Sequence, residues 1–113
     1  MRRVLWELEE AVALYDLYFR YNGKLSVPKR ELNMLTEMYH KRAEKLGLVI
    51  DEKFRNEAGL KMQLGCIHSV VTDGLEGFSS ASKLFYETYA IYQNDRPYFD
   101  AVLKEFYKKY GVE

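Results

Sequence analysis

The 113-residue sequence predicts an all-α fold, a single compact domain of about five helices. Apolar residues recur at i, i+3/i+4 and i+7 through most of the chain. Helix-stopping clusters, at Asn22-Gly23, Gly47, Asp73-Gly74 and Asn94 to Pro97, divide that pattern at regular intervals. No repeat, low-complexity tract or linker interrupts it, and a chain of this length can bury roughly two-thirds of its unfolded surface without metal or disulfide staples.

The first helix is expected from Leu5 to about Tyr21, with Leu8, Ala11, Val12, Tyr15, Tyr18 and Phe19 in one stripe and Leu14, Leu17 and Tyr21 widening it. A helix apolar over so much of its girth belongs at the centre of the domain. Glu7, Glu9 and Glu10 fall in its first turns, where the helix dipole favours negative charge. Pro28 suits the first turn of a second helix, whose stripe is Leu32, Leu35, Tyr39, Ala43 and Leu46, with Gly47 at the C′ position. Leu48-Val49-Ile50 reads as extended or core-filling and is too short to build a sheet.

The third helix is placed from Asn56 to Val71 because Leu60, Leu64, Ile67 and Val71 share a face. Gly59 and Gly65 interrupt it at roughly 1 kcal/mol each relative to Ala, which suggests that another backbone or a ligand comes close. The fourth runs from Ser80 or Ser82 to Gln93, burying Leu84, Phe85, Tyr89 and Tyr92. The fifth starts at Pro97 and carries Phe99, Val102, Leu103, Phe106 and Tyr110 to the C-terminus. Ten tyrosines against one tryptophan suggest rings that reach the surface with their hydroxyls.

Seventeen basic and seventeen acidic residues cancel, so no overall field draws the chain onto nucleic acid or an anionic membrane. A single cysteine forms no internal disulfide, and neither a secretory signal nor a membrane-spanning run is evident, which gives a cytoplasmic expectation with no membrane partner. Cys66 and His68 stand at i and i+2 and diverge on a helix, so no metal and no cofactor is expected. Glu9-Glu10 and Asp51-Glu52 are adjacent pairs that diverge too, and no nucleophile elbow, phosphate-binding glycine loop or HExxH is present; the chain is read as non-catalytic.

Binding residues are better represented. Ser79, Ser80, Ser82 and Lys83 outline a phosphate site at a helix N-terminus, although an ordinary N-cap accounts for one of the serines. Arg55 and Asn56 carry donors suited to phosphate or a base edge; the competing reading makes Asn56 an N-cap and pairs Arg55 with a carboxylate. Lys61 and Gln63 face away from the apolar stripe of the third helix.

The motifs Trp6-Glu7-Leu8-Glu9-Glu10, Phe54-Arg55-Asn56, Gly59-Leu60-Lys61-Met62-Gln63-Leu64, Gly74-Leu75-Glu76-Gly77 and Ser82-Lys83 occur in one order along the chain. In that order the sequence resembles the small helical domain found N-terminal to HNH and other nuclease domains in prokaryotic restriction and phage-defence endonucleases. It departs at the insertion Asp51 to Lys53 and at Tyr89, where tryptophan is usual, and it contains no HNH segment, so no nuclease activity is carried over. The resemblance implies a DNA-binding specificity or docking module, in which Arg55, Asn56, Lys61 and Gln63 meet duplex DNA and Ser80, Ser82 and Lys83 hold a phosphate. Weak binding by the chain alone is expected, with a nuclease or other defence protein as a further partner. The alternative is a protein-protein interaction module, such as a phage or mobile-element inhibitor of a bacterial defence enzyme, which the neutral charge and the tyrosine content suit.

Overall fold

Helix boundaries in the computed structural model, which describes residues 4–22, 26–75 and 81–111, follow from the caps. The five helices are α1 (Leu8–Arg20), α2 (Lys29–Lys45), α3 (Glu57–Val71), α4 (Lys83–Asn94) and α5 (Arg96–Tyr110). The start of α1 falls later than the periodicity suggests, because Glu7 is its N-cap and Glu10 Oε1 accepts from the Glu7 N–H at 3.1 Å. Trp6 therefore stays outside the helix and meets Tyr39 and Phe85 edge-on, with ring centroids 5.4 and 5.7 Å away.

Three helices end on residues in the left-handed conformation. After α2, Gly47 (φ 70°) lets its N–H reach the Glu44 carbonyl at 3.1 Å and the Leu48 N–H reach Ala43 at 2.9 Å, a Schellman turn. The same pair of bonds closes α3, there with Asp73 (φ 55°) in the left-handed position, while Asn22 (φ 57°) follows α1. Leu46 is drawn into the α2 cap and is 51 % exposed, so it does not continue the buried stripe; Val49 is 76 % exposed, so it fills no core.

The α1 helix is the hub, and Ala11 to Tyr15 are inaccessible to solvent. It packs against all of the other four helices. The α2 helix contributes Leu32, Leu35 and Tyr39, α3 contributes Leu60, Leu64 and Ile67, α4 contributes Phe85, and α5 contributes Phe99 and Phe106. Gly59 is not pressed by another backbone or a ligand: a Cβ there would stand 3.2 Å from the Asn56 Oδ1 that caps α3. Tyr89 and Tyr92 are only half-buried and stack beside Phe19, Tyr92 at 4.2 Å between centroids. None of the described helices is long and apolar enough to cross a membrane.

Two tyrosine hydroxyls turn inward rather than to the surface. Tyr15 donates to the Phe85 carbonyl at 2.7 Å and Tyr39 to the Glu10 carbonyl at 2.6 Å, each replacing a lost water bond with an internal one. Burial pushes both phenols well above their ordinary range, as it does for Tyr107, whose hydroxyl also lies beside the Asp16 carboxylate. Raised acid pKa values hold their stabilisation below the unfolded value and lose it as pH rises past it. Stability is therefore expected to fall above about pH 10, where unfolded tyrosine ionises. A spectrophotometric phenolate titration should find Tyr15, Tyr39 and Tyr107 silent until the helical circular dichroism collapses.

Candidate functional site

A carboxylate in the first turn of α1 organises one end of the molecule. Glu10 is fully buried, and charge in that position needs partners. Arg55, in the turn before α3, supplies Nε to Glu10 Oε2 at 3.0 Å and Nη2 to Oε1 at 3.3 Å. Arg42, on α2, lies 3.6 Å from Glu10 and bonds Glu9 at 2.5 Å and Glu7 at 2.6 Å. Burial would pull the Arg42 guanidinium down, but the bonds from Glu7 and Glu9 and the charge of Glu10 hold it above its ordinary value.

The turn that presents Arg55 is itself fastened to α2. His40 Nε2 meets the Phe54 carbonyl at 2.5 Å; an oxygen there can only accept, so this nitrogen carries the proton. Thr36 Oγ1 donates to the Arg55 carbonyl at 2.7 Å. Arg55 adopts φ 49°, and its guanidinium lies 4.1 Å from the Trp6 ring centroid and 4.5 Å from that of Phe54.

These contacts correct the assignment of Arg55 and Asn56 to DNA. The Arg55 side chain is 10 % exposed and committed to Glu10, while Asn56 accepts from the Gly59 N–H at 2.9 Å as the N-cap of α3. The remaining expected contacts divide between two helices. Lys61 is exposed on α3 and pairs with Glu57 at 3.3 Å, and Gln63 is half-buried on the same helix. Lys83 is exposed on α4, 3.9 Å from Glu87. Ser82 is the N-cap of α4 without a hydrogen bond from its side chain, and Ser79 and Ser80 lie outside the described residues. Each cation of the expected patch thus has its own carboxylate, one buried and two at i, i+4 spacing.

A different surface feature lies between α1, α2 and α5. It is a groove of about 340 Å³ whose floor is Met34, Leu35, Met38 and Leu103. Its mouth is a clasp of Asp16, Arg20, Glu31 and Tyr107. Arg20 donates to Asp16 Oδ2 at 2.9 Å, to Glu31 Oε1 at 3.1 Å and to the Tyr107 hydroxyl at 3.4 Å; that hydroxyl donates to the same Asp16 oxygen at 2.9 Å. Sequence reasoning missed this groove. Its only local traces are Asp16/Arg20 and Met34/Met38, both at i, i+4.

Compared with known families, curated proteins and solved structures, the chain matches no family model, no curated protein and no solved structure. The likeness to nuclease-associated helical domains rests on the short motifs alone.

Removing one partner of a buried ion pair strands the other. Arg55→Ala is expected to destabilise the fold by roughly 3 kcal/mol, at the low end for such pairs because Arg42 stays near Glu10. Lys61→Ala and Lys83→Ala should each change it by less than about 1 kcal/mol, as exposed pairs do. Urea unfolding of the three variants checks the contrast.

Proposed function

We propose that this chain is a protein-interaction module that docks a partner through the groove between α1, α2 and α5. The observation that carries the reading is the groove's floor: four unbranched or γ-branched aliphatic side chains beneath an ionic mouth, with Met34 still 40 % exposed. Thioether side chains repack around varied apolar anchors at low cost, which suits docking surfaces. Zero net charge adds no repulsion or attraction of its own, and the pairing of Arg55 with Glu10 removes the planar cation on which base or phosphate recognition would depend.

The second reading remains a DNA-binding specificity or docking module of the restriction and phage-defence type. What favours it is a different set of cations from those expected. Lys41, Lys45, Lys108 and Lys109 take part in no ion pair among the described residues, and Lys45 Nζ donates to the Lys109 carbonyl at 3.0 Å, bringing the ends of α2 and α5 together. Lysines at helix C-termini also complement the dipole, which explains them without a ligand.

A photo-crosslinking residue at position 34, compared with one at exposed Met62 on α3, separates the readings in host cells. The protein reading expects a discrete protein adduct from position 34 only. Duplex DNA binding tighter than about micromolar, with a steep salt dependence lost in Lys108→Ala/Lys109→Ala, would contradict it.

A further inference from the structure

The charge at the groove's mouth narrows the class of partner, provided that the chain is the protein-interaction module argued above. Asp16 and Glu31 face a single cation, Arg20, so the mouth carries an excess negative charge. Asp16 makes both of its bonds through Oδ2, and no bond among the described residues engages Oδ1. Glu31 gives Oε1 to Arg20, while Oε2 has only Arg30 at 3.9 Å, a side chain 82 % exposed. Two carboxylate oxygens therefore retain acceptor capacity directly above an apolar floor.

We infer that the groove receives a basic amphipathic helix: an aliphatic side chain seated on Met34, Met38 and Leu103, with a lysine or arginine one turn away reaching Asp16 or Glu31. A residue and its i+3/i+4 neighbour on a helix lie about 5–6 Å apart, the offset needed to fill the floor and reach the rim together. The Arg20–Tyr107 clasp fixes the rim carboxylates before the partner arrives, so little ordering remains to be done on binding. A second copy of this chain is a poor occupant. Outside the groove, the exposed large apolar side chains within helices are Met62 on α3, Tyr86 on α4 and Tyr98 on α5, one per helix among the described residues, so none presents an apolar stripe.

The test uses the full chain with isotope-labelled methionine methyl groups, titrated with a Leu/Lys amphipathic helical peptide and with its Leu/Glu counterpart. Met34 and Met38 should shift and saturate with the Leu/Lys peptide while exposed Met62 stays fixed. The Leu/Glu peptide should bind about tenfold more weakly or worse. Glu31→Gln should narrow that gap. Met34→Lys, at a position exposed enough to tolerate the charge, should weaken the Leu/Lys peptide about tenfold at unchanged helicity, with Met38 as the reporter. Equal or tighter binding of the Leu/Glu peptide at Met34 and Met38 overturns the basic-helix assignment and leaves the docking groove standing. Failure of both peptides to move Met34 and Met38 overturns the groove itself, and with it the protein-interaction reading. Shifts that follow protein concentration without peptide assign the groove to a second copy and overturn the inference.

Discussion

The rest of the structure depends on how one buried carboxylate is neutralised. An isolated Glu10 anion in the core would cost several kcal/mol, and Arg55 and Arg42 close around it from the turn before α3 and from α2. The two contacts tie together segments far apart in sequence at the end of α1 where Trp6 packs. They also account for the late start of α1, since the same carboxylate takes the Glu7 N–H and leaves Trp6 free to lie against the Arg55 guanidinium. A buried ion pair gives little net stability over an apolar replacement, but its parts are not individually removable.

Much of the fold was legible in the chain because helical periodicity and capping are local. Leu60, Leu64 and Ile67 share the buried face that their spacing assigns, Gly47 ends α2, and Asp95 and Pro97 open α5. The corrections arise where a contact spans the sequence. Glu10 reads locally as a charge that complements the dipole, and nothing at residue 10 announces that its partner is residue 55. The competing local reading of Asn56 was available from the chain, since an asparagine before an apolar-periodic run, followed three residues later by a small glycine, is an N-cap arrangement.

The groove shows the same limit from the other direction. Its floor draws on α2 and α5 and its mouth on α1, α2 and α5, so no window of sequence contains it. Met34 and Met38 look from the chain like ordinary interior spacing, and Met38 is indeed buried; only the packing of α5 leaves Met34 at an open edge. Tyrosines were misread for a related reason: Tyr15 and Tyr39 direct their hydroxyls to backbone carbonyls that are distant in sequence, so composition alone suggested a wetter set of rings than the fold contains.

That Arg55 is an internal strut rather than a surface cation is the claim on which the functional argument turns. A double-mutant cycle of Glu10→Gln and Arg55→Met, read by chemical denaturation, measures it directly. The account predicts a coupling of about 2 kcal/mol between the two positions, within the range seen for contacting residues. Additive effects, agreeing within about 0.5 kcal/mol, would contradict it and return Arg55 to the set of residues available to a ligand.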